Sequence, residues 1–485
     1  MSKGTLYLTI ANVIFLLCGY AIHLGLGRYL GPASYGTFGV VLTLMNTVTL
    51  VLTSGFPDAA SKYIAEDNAK LSSIIRSSRT IQAVLSIPLF ALYFGLAGTI
   101  ANALHDPGLT RYIRISALAI PLYALYQVYS SGYLNGLRRF GQQAKVLILS
   151  SLVRVGVAFG LIYLLELGIE GAILGYLAAA ALGLILARQF LGSVPKDSAT
   201  FEWRKLISFG VPAMLFAITL FLMMSIDLFA VKAICRSDNA TGYYTAATTI
   251  AKAPYYILGG LPLTLLPVIS MSTSMNNRGL TTIYISQSIR YMLILVVPCT
   301  FLISATSGDL FSLIYTSGYV EAAKPLELLV FGIAFLTVFL VLSQIIIASG
   351  KPRVAFGIAL TSLAIDITLN ITLIPRYGLV GAAWATTLTA LVGMIAAALY
   401  VFRRFKTLVS AKSFIKICLA ALAVYVVALK LPIPSVSLPF VYVGLLAIYF
   451  ALLLLMREIG KKDFETLKQI IPTARLNKTG HRKGS

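Results

Sequence analysis

Four ionisable residues lie deep inside long apolar runs: Arg154, Asp227, Lys252 and Asp366. A charge at the centre of a membrane helix costs about 2.5–3.5 kcal/mol on insertion scales, so each needs a partner or a task. Asp227 and Lys252 flank one turn centred between Asn239 and Ala240, each about twelve residues from it. On antiparallel helices rising ~1.5 Å per residue they reach one depth, where they can form an ion pair. Such a pair either binds and couples or simply pins two helices together. Arg154 offers a guanidinium, which binds phosphate bidentately. Asp366 can hold a proton or Na⁺. For both, the competing reading is a hydrogen-bonded partner buried between helices. Tyr123, Tyr126, Gln127, Ser130 and Tyr133 fall within an arc of about 120° at ~100° per residue. Rings stack on sugar faces and amides bond their hydroxyls, although tyrosines also pack between helices. His23 and Asn46 flank the first turn of the chain as Asp227 and Lys252 flank a later one.

These residues need helices to hold them. The 485-residue chain is 58% hydrophobic and 12% charged, with a mean hydropathy of +0.87. Soluble domains carry about 25% charged residues. Fourteen apolar runs can each span a bilayer: 5–27, 36–57, 79–101, 113–133, 145–165, 170–190, 206–231, 242–268, 286–306, 326–349, 354–374, 380–402, 413–430 and 437–456. No connection is large enough for a catalytic domain. The first run, Thr5 to Leu26, is too long for a cleavable signal and has no cleavage site behind it. Cys18, Cys235, Cys299 and Cys418 have neither zinc nor disulfide spacing and are expected as small core residues.

The net charge of +22 would suggest nucleic acid on a soluble protein. Here the bases lie between apolar runs, so nucleic acid is not expected. With the N-terminus inside, 29 Lys and Arg fall in inner segments and 8 in outer ones. That bias predicts a multi-pass protein of the cytoplasmic membrane with both termini cytoplasmic. The tail from Arg457 to Ile471 alternates bases with apolar residues, as an interfacial helix against anionic lipid does.

The chain also repeats. Gly36 to Pro57 spans 21 residues and Gly242 to Pro262 spans 20. Gly168-Ile169-Glu170-Gly171-Ala172 matches Gly378-Leu379-Val380-Gly381-Ala382, and the two offsets are 206 and 210. Six spans separate equivalent points, so the repeats are parallel. The expected organisation is an all-α membrane protein with six-helix lobes at 1–195 and 196–405. Two additional helices follow at 406–456, then a basic tail at 457–485. Lobes facing across a cavity are the architecture of alternating-access carriers.

Arg28-Tyr29-Leu30-Gly31-Pro32-Ala33-Ser34-Tyr35-Gly36-Thr37-Phe38 resembles the signature after the first span of polysaccharide transporters. Asn370-Ile371-Thr372-Leu373-Ile374-Pro375-Arg376-Tyr377-Gly378-Leu379-Val380-Gly381-Ala382-Ala383 is similar to a later stretch of the same family. So are Ser225-Ile226-Asp227 and Thr241-Gly242-Tyr243-Tyr244. The family comprises the O-antigen-type flippases of the multidrug/oligosaccharidyl-lipid/polysaccharide exporter superfamily. The resemblance implies translocation of a lipid-pyrophosphate-linked glycan, without enzyme chemistry. For such a carrier the residues themselves suggest Arg154, Lys252, Tyr123, Tyr126 and Gln127 as substrate contacts and Asp227 and Asp366 as ion-coupling residues. No cofactor is expected beyond coupled H⁺ or Na⁺. Expected partners are the lipid-linked glycan, membrane lipids, and a glycan polymerase or glycosyltransferases. The alternatives are a multidrug exporter or lipid II flippase on the same fold. A membrane glycosyltransferase is less favoured, because no D-x-D occurs in the sequence.

Overall fold

A computed structural model describes residues 3–194, 200–258, 278–431, 437–460 and Asp463. Gly260-Leu261-Pro262, one half of an expected repeat motif, lies outside them, as does most of the expected tail helix.

Among the described residues every regular element is a helix. In chain order they are α1 (Lys3–Thr53), α2 (Phe56–Glu66), α3 (Leu71–Gly95), α4 (Ala97–Ala103), α5 (Leu109–Ala117) and α6 (Ala119–Gln127). There follow α7 (Phe140–Leu165), α8 (Gly168–Leu191), α9 (Trp203–Met223), α10 (Ile226–Cys235), α11 (Asp238–Ala251) and α12 (Ala253–Leu258). The remainder are α13 (Arg278–Ala305), α14 (Ser307–Ile314), α15 (Ala323–Ala348), α16 (Pro352–Phe405), α17 (Ala411–Lys430) and α18 (Leu438–Leu455). Nine described helices are long and apolar enough to cross a membrane, or ten if the bent pair Asn68–Gly95 and Ala97–Ala103 is one span. Their outer faces are apolar: Leu164, Phe440 and Leu455 are each about four-fifths exposed. Hydrocarbon is the solvent that tolerates such a surface. The chain is an all-helical, multi-pass membrane protein.

The two longest helices are each a hairpin. His23 Nδ1 lies 3.0 Å from the Tyr35 hydroxyl. Twelve residues along one straight helix would separate them by ~18 Å. The chain doubles back at Gly31, whose φ of 73° an L side chain resists, followed by Pro32. In α16 the break is Gly378 at φ 58°. There a Cβ on Gly381 would come within 2.4 Å of the Leu373 carbonyl oxygen. Gly168 plays the part of Gly378 between α7 and α8, with φ 50°. Gly171 then faces Leu161 and Ile162 as Gly381 faces Leu373 and Ile374.

The other repeated glycines meet each other. A Cβ on Gly36 would lie 2.5 Å from the Gly242 nitrogen, and one on Gly242 only 1.9 Å from the Pro32 carbonyl oxygen. Beside them, Gly39 packs on the Thr245 side chain. Further along, a Cβ on Gly55 would lie 2.1 Å from the Gly210 carbonyl oxygen. The first and second halves of the sequence thus touch backbone to backbone at two levels.

The tail begins as an anchor. Glu458 and Asp463 both bind Arg290 on α13, Asp463 also accepts from Tyr291 at 2.8 Å, and Lys416 stands 3.7 Å from Glu458. Partial burial pushes the Asp463 carboxyl up. The bonds from Arg290, the Gly460 N–H and Tyr291 outweigh it and hold the group down to about 2.

Candidate functional site

The helices that carry Asp227 and Lys252 are both broken, and at one level. α9 ends at Met223 and α10 restarts at Ile226, while α11 ends at Ala251 and α12 starts at Ala253. A helix end exposes carbonyls without partners, and a helix start exposes N–H groups. Lys252 Nζ donates to the Met224 carbonyl at 2.6 Å, beyond the end of α9. Asp227 Oδ1 accepts the Leu228 N–H at 2.8 Å in the first turn of α10. Each charge therefore sits at the helix end whose dipole favours it. The expected ion pair between Asp227 and Lys252 is not made. Their equal depth was sound, but the broken backbone between them supplies a partner for each.

Asp227 is also the hub of a polar cluster in the second half. Its Oδ2 accepts from the Tyr244 hydroxyl at 2.7 Å and from Thr386 at 3.2 Å. Asp366 lies on the first arm of α16, where its Oδ1 accepts from Asn370 Nδ2 at 3.1 Å. Asn370 Oδ1 is buried without a hydrogen-bond partner, and Asp366 has the Thr389 hydroxyl for a neighbour. Buried oxygens left open are expensive in a low dielectric. Oxygen donors of this kind suit a hard monovalent cation or a proton better than a transition metal. Among the described residues no group of three or more His, Cys, Asp or Glu could hold a metal ion. Thr386 and Thr389 had no sequence signal, since Thr hydroxyls in apolar helices usually bond their own backbone. Tyr244 and Asn370 were visible there only as parts of motifs.

Arg154, on α7 in the first half, is 6% exposed. Its guanidinium lies over Phe15 at 4.7 Å and Tyr176 at 5.1 Å and donates to the Phe15 carbonyl at 3.3 Å. Among the described residues its Nε has no partner, and no carboxylate lies within 4 Å of it. Tyr123 and Tyr126 come close enough to feel its charge.

The expected tyrosine stripe holds only in part. Tyr126 is wedged against Gly183 and reaches Ser150 at 3.3 Å, while Gln127 accepts from Ser131 at 3.2 Å. From Val128 to Leu134 the chain winds as a π-helix. The wider turn carries Ser130 and Tyr133 off the face that ~100° per residue assigns them. Tyr133 is fully buried and bonds Ser78 at 2.8 Å. His23 is tied to Tyr35, which also meets Thr249 and Tyr315.

Hairpins turned at glycine, paired broken helices and isolated buried charges make this a multi-pass helical membrane protein that holds ionisable groups inside it. The fold matches that of lipid II flippase MurJ in an inward closed conformation, with a TM-score of 0.77 and 15% identity over 94% of this chain and 99% of that one. It also matches an inward-facing multidrug resistance MATE family transporter, at 0.68 and 16% over 84% and 95%. The probable low-salt glycan biosynthesis flippase Agl15 of Haloferax volcanii is 24% identical over 400 residues, covering 82% of this chain and 83% of its own. The family described as "Polysaccharide biosynthesis protein" matches residues 1–273. The chain belongs to that family.

Proposed function

We propose that this protein is a flippase. It carries a lipid-pyrophosphate-linked oligosaccharide or polysaccharide precursor across the cytoplasmic membrane by alternating access. In this reading the chain crosses fourteen times with both termini inside. Residues 1–195 and 196–405 are facing lobes, and 406–456 adds two helices. The two hairpins at Gly31 and Gly378 support that count, because each turns one long helix into two crossings.

The observation that carries the reading is Arg154. A buried guanidinium with an open Nε and no acid beside it is an anion receptor. Aromatic neighbours replace a counter-charge and leave the donor face available. Tyr123 and Gln127 stand ready for sugar, while Tyr126 and Lys252 hold helices in place. The opposite charge gathers in the other lobe. There Asp227 and Asp366, with Asn370, take up H⁺ or Na⁺ and couple its descent to transport. Glycosyltransferases that load the carrier lipid and a polymerase that uses the exported unit are the natural neighbours.

The test is reconstitution. Vesicles with the protein should expose a labelled lipid-pyrophosphate oligosaccharide on the far face faster than protein-free vesicles do. Arg154→Lys keeps the charge but loses the fork, and should slow this on the order of tenfold. Export equal to protein-free vesicles, or efflux of cationic dyes in its place, overturns the reading.

A further inference from the structure

Lys232, one of the eight bases assigned to outer segments, is 1% exposed. It lies in the last turn of α10, where a cation is favoured. Its ammonium donates to Asp106 Oδ2 at 2.6 Å and to Asp238 Oδ1. The two acids differ in origin. Asp238 starts α11, six residues on, and travels with Lys232 in one hairpin. Asp106 lies in the α4–α5 turn, 126 residues earlier. That turn is built to present it: His105 takes φ 55°, and Asp106 Oδ1 accepts the Gly108 N–H at 3.0 Å. The Asp106 and Asp238 side chains are 23% and 50% exposed, so water reaches the acids but not the lysine. Nearby runs the seam where Gly36 meets Gly242, Gly39 meets Thr245 and Tyr35 meets Tyr315.

We infer that Lys232 is a latch that fastens the outer face of the carrier shut by gripping Asp106 across the lobe boundary. This rests on the two-lobed carrier reading. A buried ammonium stripped of its counter-charge is strongly unfavourable, so a single cross-lobe pair would resist opening. Asp238 removes that obstacle. It keeps Lys232 neutralised in both states, so opening releases only Asp106, which is already partly hydrated. The latch thereby adds charge specificity to a seam that glycine packing alone would close by shape.

The experiment uses full-length protein with the four cysteines replaced by serine and Thr245→Cys as reporter, labelled from outside by an impermeant maleimide. The parent should label slowly, because Thr245 is buried against Gly39. Asp106→Asn keeps the Gly108 bond but not the charge, and Lys232→Met removes the grip. Each should raise the labelling rate about tenfold, a shift of population toward the open outer face. Asp106→Lys with Lys232→Asp should restore slow labelling, since the new lysine meets both acids. If Lys232→Met fails to accumulate, Asp106→Asn decides alone. Parent-like labelling in well-folded Asp106→Asn overturns the latch. Failure of vesicle transport by the parent would overturn the carrier reading while leaving this labelling result intact.

Discussion

Gly36 and Gly242, equivalent residues of the two repeats, press backbone against backbone at the junction of the two halves. Neither has room for a side chain. Gly242→Ala would set its Cβ 1.9 Å from the Pro32 carbonyl oxygen, a rigid neighbour. The expected cost is that of overpacking, about 1–3 kcal/mol. Gly39→Ala first meets the Thr245 side chain, which yields more readily than backbone. Thermal unfolding in detergent should therefore rank the parent above Gly39→Ala and Gly39→Ala above Gly242→Ala. A Gly242→Ala protein as stable as the parent would contradict this packing.

Asp227 and Lys252 serve separate helix ends, so exchanging them should not work. Lys252→Met leaves the Met224 carbonyl uncapped, and Asp227→Ala strips Tyr244 of its acceptor, while Thr386 keeps the Ala382 carbonyl. Each should cost about 1–3 kcal/mol, the penalty for a buried neutral polar group left unsatisfied. The double exchange Asp227→Lys with Lys252→Asp should accumulate no better than the single variants, because each new charge opposes its helix dipole. Membrane abundance of the three variants measures this. Recovery by the exchange would mean that the two charges act as a direct pair.

The buried oxygens of Asp366 and Asn370 lead to a cation test. Purified protein should unfold at higher temperature as Na⁺ replaces choline, or as pH falls if the ion is H⁺. A ligand that binds only the folded state stabilises it by ~2.7 kcal/mol at one hundred times its Kd. Asp366→Asn should abolish the response while leaving the unfolding temperature in choline near that of the parent. A parent that responds to neither ion would remove the coupling role from this cluster.

The Arg290 anchor gives a pH effect of known sign. The Asp463 carboxyl is held down to about 2, below the ordinary carboxylate range. Its contribution is therefore complete above about pH 4 and is lost as pH falls toward 2. A fluorophore at Gly460→Cys should report release of the tail across that window. In Asp463→Asn the part of the transition owed to this carboxyl should be gone, with the tail looser already at pH 7. An identical profile in the two proteins would show that Asp463 does not hold the tail.

Much of this architecture was written in spacing. The hairpin turns were legible because Gly-Pro and paired glycines have one physical use between apolar runs. The depth shared by Asp227 and Lys252 followed from counting residues to a turn. What failed was the assumption of unbroken helices. Pro254 has no N–H to offer the Ile250 carbonyl, so the break at Lys252 was there to be read. The break at Met224-Ser225 carries no such mark, because it is held by a lysine from another helix. The π-helical turn at Val128–Leu134 is likewise a tertiary effect that shifts a face without a sequence signal. Lys232 escaped because one of its two acids, Asp106, lies 126 residues away in another turn.

The turn at Gly31-Pro32 bears on how the chain is made. It gives the first two crossings almost no hydrophilic stretch between them. Leaving the ribosome at about 5–20 residues per second, the second arm follows the first within a few seconds. Until it arrives His23 lacks the Tyr35 hydroxyl that partners it in the folded protein. The two arms therefore have reason to leave the translocon together, as a closed hairpin. The His23–Tyr35 bond would then form within the hairpin itself, without waiting for the helices that later pack around it.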